Sequence, residues 1–231
     1  MAAERAQAVS TMFTRIARRY DLMNSVMTAG RHHAWRGAAA REAIAAPSGA
    51  LLDLATGTAD LALAVLRLDP ARVVIGADFS LGMLGQARRK LDARRVPLAL
   101  AAADALALPF ADGAFAAVVS AFLLRNLVDL EAGLAEMRRV TRRGGRVITL
   151  DIVKLALPVW DALFGVYFHR VVPAMGTVIA GDRQAYTYLP DSVDRFRTAR
   201  QLAAAMESAG LSDVRFRTFG LGSVALHVGV A

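Results

Sequence analysis

Three carboxylates follow short apolar runs, at the points where strands would end. Asp53 follows "LL", Asp78 ends "VVIGAD", and Asp104 ends "LALAAAD". After the first run comes the turn "ATGTAD", in which Gly57 is the single glycine. Such a turn leaves backbone N–H groups pointing outward at a helix N-terminus, which suits an anionic or polar ligand group. The acid about 20 residues after the glycine turn, Asp78, is then placed to accept from both hydroxyls of a ribose.

The turn lacks the features that hold a pyrophosphate or a triphosphate. It contains neither G-x-G-x-x-G nor a Gly-Lys-Ser/Thr cradle. The ribose contact alone is compatible with a dinucleotide or with S-adenosylmethionine. Asp104 and the amide of Ala105 are expected at the adenine. Together these residues favour a cofactor with a ribose and a cationic sulfonium but no phosphate; the alternative is that Asp78 and Asp104 only cap helices.

The elements that must position these acids alternate between short apolar runs and helical patterns. This βαβ alternation predicts a parallel sheet covered by helices, with ligands at the carboxyl ends of the strands. Strands are expected near 51–55, 72–77, 98–102, 115–121 and 145–152, and helices near 60–68, 80–92 and 129–140.

The two ends of the chain and one interruption have different patterns. Residues 3–19 predict an amphipathic helix, which continues after a break near 24–30. An apolar, aromatic-rich segment follows the fifth strand, but charged residues divide it too often for a membrane span, so we expect an inserted helical lid. A helix near 200–209 and two short antiparallel strands close the chain. The prediction is a single domain with no linker, divided as N-terminal helices 1–46, cofactor-binding core 47–154, lid 155–197 and closing elements 198–231.

Composition narrows the classes of function. The absence of cysteine excludes disulfides, thiolate catalysis and cysteine metal sites, and fits a cytosolic chain. The net charge of +8 comes almost entirely from arginine and is explained first by genomic base composition, or else by attraction to an anionic surface. No basic stripe is interleaved with aromatic residues, so nucleic acid is not expected. His32 and His33 are adjacent and would point apart on a helix, so no metal site is expected.

Several segments together resemble one known family. They are "MFTRIARRYDLMNSVMTAGRHHAWR", "DLATGTAD", "GADFSLGML", "ADALALPFADGAFAAVVSAFLLRNLVD" and "YTYLPDSV". From about Met12 to Gly229 the chain resembles the ubiquinone/menaquinone biosynthesis C-methyltransferases. The resemblance implies an α/β class I S-adenosylmethionine-dependent methyltransferase, with a Rossmann-like seven-stranded sheet, N-terminal helices and an inserted helical lid. It also implies C-methylation of a prenylated hydroquinone, with demethylmenaquinol as the favoured acceptor.

The resemblance places the family's cofactor contacts at Thr58 in the turn, at Asp78 on the ribose, and at Asp104 with Ala105 at the adenine. The chain departs from the family at Ala59 and Leu123, where glycine is usual, at Leu155, where proline is usual, and at Ala121, where serine is usual. Alanine at 59 is strained if that position needs a positive φ. The resemblance and the strand-end argument together assign Asp53, Gly57, Thr58, Asp78, Phe79, Asp104, Ala105 and Ser120 to the cofactor.

A ring carbon attacks a sulfonium methyl group once a phenol on the ring loses its proton. Arg125 keeps its own proton, so we expect it to stabilise the phenolate while water or a carboxylate accepts the proton. Asn126, Tyr20 and Asp21 are expected to complete this network. The alternative is that these residues form surface pairs and core packing. His169, Tyr186 and Tyr188 are assigned to the acceptor, with His169 also a weaker candidate for proton transfer.

The expected partner is a small lipophilic quinol. An aromatic lid near basic residues also predicts a peripheral membrane contact, and hence a cytoplasmic protein at the inner face of the membrane, and a homodimer is a further expectation. Departures at Ala121 and Leu123 motivate an alternative, a methyltransferase of the same fold that acts on another small phenolic or lipid acceptor. Ala59 motivates a non-enzymatic alternative, a cofactor-binding protein that stabilises a quinone-synthesis complex.

Overall fold

The computed structural model describes residues 2–17, 19–155, 172, 177 and 183–231. Within these residues the chain forms one sheet flanked by helices. The strands are β1 Leu51–Leu54, β2 Val74–Asp78, β3 Ala99–Ala102, β4 Phe115–Ala121, β5 Thr141–Ile152, β6 Ser212–Phe219 and β7 Val224–Val230. The helices are α1 Ala2–Ile16, α2 Tyr20–Met27, α3 Arg31–Ile44, α4 Asp60–Leu68, α5 Leu81–Arg94, α6 Leu130–Val140, α7 Arg183–Asp194 and α8 Ala199–Ser208. Short 3-10 turns span Leu124–Asn126 and Gly220–Gly222.

The sheet has seven strands in the order β3-β2-β1-β4-β5-β7-β6. The first five are parallel, and β7 is antiparallel to both β5 and β6. This confirms the predicted α/β fold class and the closing antiparallel pair. The order reverses between β1 and β4, so the carboxyl ends of these two strands diverge and leave a crevice, where ligands bind in this class of sheet.

Apolar side chains cover both faces of the sheet. All four residues of β1 are buried because helices pack above and below this central strand. On one face, four alanines of α3 pack with α4 and α5, and their small size lets α3 approach closely. On the other face, α6 and α8 contribute Leu134, Met137, Leu202 and Met206.

Helices α5 and α6 begin beside the crevice, and a polar side chain caps the first turn of each. The Ser80 hydroxyl accepts a hydrogen bond from Met83 N at the start of α5, and the Asp129 carboxylate accepts one from Ala132 N at the start of α6. The loops that precede both helices therefore lie at the carboxyl ends of β2 and β4.

The N-terminal region differs in detail from the sequence prediction. Helix α1 ends at Ile16, and α2 is helical through Met27, so the break covers residues 28–30 rather than 24–30. Ala29 and Gly30 have φ values of 47° and 73°, and two successive left-handed residues cannot continue a helix.

Most of the predicted lid, including His169 and the segment around Trp160, lies outside the described residues. Helix α7 belongs to its last part and contacts α1 and the Leu124–Asn126 turn. Among the described helices, none combines the length and apolar character needed to cross a bilayer. The division of the chain into four parts stays a prediction.

Candidate active site

A small cavity of about 130 Å³ lies at the carboxyl ends of β1, β2 and β3. The predicted cofactor residues Gly57, Asp78, Phe79, Asp104 and Ala105 all line it. The structure therefore brings two of the three strand-end acids, Asp78 and Asp104, to one cavity.

Asp78 joins the glycine turn to the second strand. Gly57 N donates to Asp78 Oδ2 at 2.8 Å, and Ser80 N donates to Asp78 Oδ1 at 2.8 Å. Burial raises the pKa of Asp78, and the backbone donors oppose that rise. Each oxygen retains a further lone pair that can accept from a ribose hydroxyl. Gly57 has a φ of 57°, and only Ala55 O comes within 4 Å of where its Cβ would lie, so backbone conformation rather than space favours glycine.

Asp53, the third acid, is not among the residues that line the small cavity. It is 1% exposed, and its Oδ2 accepts from Thr56 Oγ1 at 2.6 Å and from Ala62 N at 3.0 Å. Burial raises the pKa of Asp53 to about 7, despite these donors. Asp53 thus links Thr56 in the glycine turn to the first turn of α4.

Thr58 and Asp21 belong to a group of polar side chains that we call the Lys90 cluster, formed by Asp21, Thr58, Asp60 and Lys90. Lys90 Nζ donates to Asp21 Oδ2 at 2.5 Å, to Asp60 Oδ1 at 2.8 Å and to Thr58 Oγ1 at 2.9 Å. The Thr58 hydroxyl in turn donates to Asp21 Oδ1 at 2.7 Å. Neither Thr58 nor Asp21 lines the small cavity or the larger one described next. Asp21 pairs with Lys90 and Thr58, and not with Arg125, whose carboxylate partner is Asp151.

A larger cavity of about 390 Å³ lies between α1, α2, α3 and the Leu124–Asn126 turn. Its lining is mostly apolar, and its volume falls in the usual range for small-molecule sites. The predicted residues Tyr20, Arg125 and Tyr188 line it. The Tyr186 side chain lies outside the described residues, as does His169.

Three buried polar atoms in the lining of this larger cavity have no hydrogen-bond partner among the described residues. They are Asn24 Nδ2, Arg125 Nε and Tyr188 Oη. A buried polar group without a partner costs about 1–3 kcal/mol, and a ligand that carries oxygen could offer acceptors to all three of these atoms. Two of the three atoms are obligate donors, and the tyrosine hydroxyl can also donate.

Arg125 is held in place by a buried ion pair. Its Nη1 donates to Asp151 Oδ1 at 2.7 Å and to Phe122 O at 2.9 Å, while Leu124 N donates to Asp151 Oδ2 at 2.7 Å. Asp151 is fully buried; burial raises its pKa, and the Arg125 guanidinium opposes that rise. The carboxylate thereby orients the guanidinium and leaves Nε unused.

The two cavities have a shared wall, formed by Phe13, Tyr20 and Phe122. Phe13 and Tyr20 make an edge-to-face contact with ring centroids 6.0 Å apart. Phe122 has a φ of 65°, an uncommon value for a residue with a large side chain, and such backbone strain is concentrated at functional sites. Asn126 Nδ2 donates to Phe122 O at 3.0 Å, and Asn126 Oδ1 is buried with no hydrogen-bond partner among the residues that the structure describes. Asn126 lines the small cavity.

His32 also lines the larger cavity but is not placed to accept a proton. Arg36 Nη1 donates to His32 Nδ1, and this fixes the tautomer with hydrogen on Nε2, 3.1 Å from Ser25 Oγ. Burial, and then the Arg36 guanidinium, lower the pKa of His32 to about 4. The described lining of the larger cavity contains no carboxylate.

The structure locates Ser120 and three of the residues that depart from the family pattern, Ala59, Ala121 and Leu123. Ser120 is buried within β4 and lines neither cavity, whereas Ala121 and Leu123 line the small cavity. Ala59 has a φ of 67°, in the left-handed region, so the backbone at this alanine is strained.

Sequence reasoning missed Asn24, Lys90, Phe122 and Asp151. Asn24 ends the Y-D-x-M-N signature, and Asp151 follows an apolar run as the other strand-end acids do, so both had a usable signal. Lys90 had none, because its partners come from distant parts of the chain. Among the described residues, no group of His, Cys, Asp or Glu side chains could hold a metal ion.

Comparison with known proteins identifies relatives over nearly the whole chain. The model of the ubiE/COQ5 methyltransferase family matches residues 1–231. A demethylmenaquinone methyltransferase from Thermus thermophilus is 44% identical over 94% of this chain and 99% of its own. A ubiquinone/menaquinone biosynthesis C-methyltransferase from Desulfotalea psychrophila is 40% identical over 96% of this chain and 89% of its own.

Solved structures with lower identity share the fold. A SAM-dependent methyltransferase from Thermotoga maritima aligns with a TM-score of 0.65 at 16% identity, over 95% of this chain and 98% of its own. The [4+2]-cyclase SpnF aligns with a TM-score of 0.63 at 22% identity, over 83% of this chain and 62% of its own. A cyclase on this fold illustrates that the fold alone does not define the reaction.

Proposed function

The chain belongs to the ubiE/COQ5 methyltransferase family, and from this premise we propose that it methylates a ring carbon of a prenylated hydroquinone, with demethylmenaquinol as the favoured acceptor. The larger cavity is the acceptor site. The observation that carries the proposal is the set of three unpartnered buried atoms, Asn24 Nδ2, Arg125 Nε and Tyr188 Oη, in an otherwise apolar cavity. A quinol offers oxygens to such donors and an apolar body to the rest of the lining.

The residues that line the small cavity offer the groups that S-adenosylmethionine needs. Asp78 provides acceptors for a ribose, Asp104 and Ala105 lie together farther along the lining, and the turn at Gly57 has no phosphate-binding sequence. Asn126, whose orphaned Oδ1 is a further acceptor, also lines this cavity. When bound, this cofactor supplies an electrophilic methyl group.

The protein's own groups make the acceptor nucleophilic. Arg125 remains protonated, and its Nε–H donates to a phenol oxygen, which stabilises the phenolate form of a group whose ordinary pKa is about 10. Asp151 keeps the guanidinium in that orientation. His32 is already occupied by Arg36, and no carboxylate is present in the described lining, so we assign the departing proton to water.

The positions at which the chain departs from the family pattern favour a prenylated hydroquinone over another small phenolic or lipid acceptor. Ala121 and Leu123 line the small cavity and not the larger one, so they alter the surroundings of the cofactor rather than those of the acceptor. The proposal is tested in a bacterial host that lacks its own quinone C-methyltransferase. Restored methylated quinone in lipid extracts supports it, and unchanged demethylquinone with the protein expressed contradicts it.

We also propose that the mouth of the larger cavity docks on a membrane. Val26 and Leu221 line the cavity and are 41% and 76% exposed, and Leu22, one helical turn before Val26, is 55% exposed. Arg31 lies in the same lining and suits anionic lipid. A lipid-borne acceptor would then enter directly from the bilayer.

Liposome flotation tests this docking. The double variant Leu22→Asp/Leu221→Asp should lose flotation with vesicles of phosphatidylglycerol and phosphatidylcholine. Val73→Asp, a control at an apolar position that is 62% exposed and outside both cavity linings, should float as the wild type does. Equal flotation of all three proteins, or none by the wild type, would contradict the docking.

A further inference from the structure

The Lys90 cluster joins helix α2, the cofactor turn before α4, and helix α5. Asp21 belongs to α2, Thr58 to the cofactor turn, and Lys90 to α5. Lys90 uses all three of its ammonium protons on Asp21, Asp60 and Thr58, at 2.5–2.9 Å. The Lys90 and Asp60 side chains are each 17% exposed, so solvent screens their contacts only in part.

The cluster is adjacent to the groups that define both cavities. Tyr20, in the shared wall, directly precedes Asp21, and Gly57, in the small cavity, directly precedes Thr58. The Thr58–Asp21 hydrogen bond thus connects the cofactor turn to the helix that begins with Tyr20.

Helix α2 contacts α3 beside the acceptor cavity. The hydroxyl of Ser25 in α2 lies 3.1 Å from Nε2 of His32 in α3. Arg36, also in α3, donates to His32 Nδ1 and lies 5.2 Å from the centre of the Phe122 ring. The helix that the cluster holds therefore reaches a second residue of the shared wall through α3.

We propose that Lys90 is a positioning residue, which holds α2 against the cofactor turn so that occupation of the small cavity orders Tyr20 and the acceptor cavity beside it. This inference rests on the proposed function for the names of the two ligands. The geometry of the cluster is independent of them. Methionine at 90 keeps the unbranched stem of the side chain and removes the ammonium group with its three donors, whereas arginine keeps the charge but spreads its donors over a planar fork.

Hydrogen–deuterium exchange with and without S-adenosylhomocysteine tests the proposal. In the wild type, the ligand should slow exchange in the turn before α4 and also in α2. In Lys90→Met without ligand, exchange in α2 should rise about tenfold, the low end of typical coupling between sites, while exchange in α6 stays unchanged. With ligand, this variant should show protection in the turn but not in α2, and Lys90→Arg should be intermediate.

Arg139→Met is the matched control, because Arg139 holds Glu136 and Asp112 in a comparable cluster away from both cavities. It should leave exchange in α2 at the wild-type rate. The proposal is overturned if Lys90→Met exchanges in α2 at the wild-type rate, or if ligand protection still reaches α2 in that variant. Failure of the wild type to bind S-adenosylhomocysteine would contradict the proposed function, and the ligand-free comparison would still decide the role of Lys90.

A kinetic measurement separates positioning from general structural damage. With a short-chain 2-prenyl-1,4-naphthoquinol as the probe, Lys90→Met should raise the KM for the acceptor about tenfold at saturating S-adenosylmethionine. Because coupling between two binding sites is reciprocal, the KM for S-adenosylmethionine at saturating acceptor should rise by a similar factor, while the Kd for S-adenosylmethionine without acceptor stays within about twofold of the wild type. An unchanged KM for the acceptor, or an equal rise in the Kd for S-adenosylmethionine without acceptor, would contradict a role of Lys90 in coupling the two cavities.

Discussion

The buried pair of Arg125 and Asp151 allows a sharp test of how the site is supported. Asp151→Asn keeps the shape of the side chain but removes the charge that faces Arg125 Nη1 at 2.7 Å. Asp151 is 0% and Arg125 9% exposed, so the variant leaves an almost fully buried guanidinium without its counter-ion. Loss of one partner of a buried pair costs about 3–5 kcal/mol, which lowers the melting temperature of a chain of this size by about 10 °C.

The assay is a double-mutant cycle in urea, measured by circular dichroism. Arg125→Met alone should also destabilise, because Asp151 then stays buried and charged. The double variant should be more stable than the sum of the two single effects predicts, by about 2–3 kcal/mol. Asp112→Asn, which breaks an exposed pair with Arg139, should leave the unfolding midpoint unchanged. A cost below about 1 kcal/mol for Asp151→Asn, or strictly additive effects, would show that the Asp151 carboxylate does not stabilise the buried Arg125 guanidinium.

Three further predictions concern the glycine turn and two buried titratable groups. Gly57→Ala should destabilise by about 1–2 kcal/mol, because its φ is 57°, whereas Gly85→Ala, in an open helical position, should stabilise by about 0.5–1 kcal/mol; equal shifts in urea unfolding would contradict this. Asp53 has a folded-state pKa raised to about 7, so its stabilising contribution is lost as the pH rises from about 4 to 7. Asp53→Asn should therefore gain stability relative to the wild type between pH 5 and pH 8, and a constant difference would exclude the shift. His32 has a folded-state pKa lowered to about 4, so its contribution is lost as the pH falls below about 6.5. His32→Gln should lose less stability than the wild type between pH 7 and pH 5, unless His32 titrates normally.

The sequence predicted the sheet well because its strands are short, apolar and separated by capped helices. Leu51–Leu54 and Asp60–Leu68 lie where the pattern of apolar residues and the turn at Gly57 indicated. The carboxyl ends of parallel strands meet at one edge, so Asp78 and Asp104 could be placed together without a structure. Their joint presence in the small cavity follows from this rule.

The partners of side chains were harder to predict than the strands. Asp21 follows Tyr20 directly, and sequence reasoning assigned both to the acceptor network. In the helix the two side chains point in different directions, so Tyr20 lines the cavities while Asp21 reaches Lys90, 69 residues away. Pairing over such distances depends on how the helices pack, and the spacing of residues along the chain does not specify it.

Backbone conformation was the other unpredictable feature. The sequence left open whether Ala59 has a left-handed or a helical conformation, and the structure gives a φ of 67°. Phe122 has the same conformation with no glycine to indicate it, because the hydrogen bonds from Arg125 and Asn126 to its carbonyl hold the turn.

The most direct test of the account is mass spectrometry of the products formed from methyl-labelled S-adenosylmethionine and a panel of demethylated quinols. We expect one labelled methyl group on a ring carbon of the 2-prenyl-1,4-naphthoquinol. Arg125→Lys should bind the cofactor normally but form this product about 100-fold more slowly, because the compact ammonium cannot replace the Nε donor. Absence of ring methylation from every quinol, or full turnover by Arg125→Lys at every pH, would contradict these expectations.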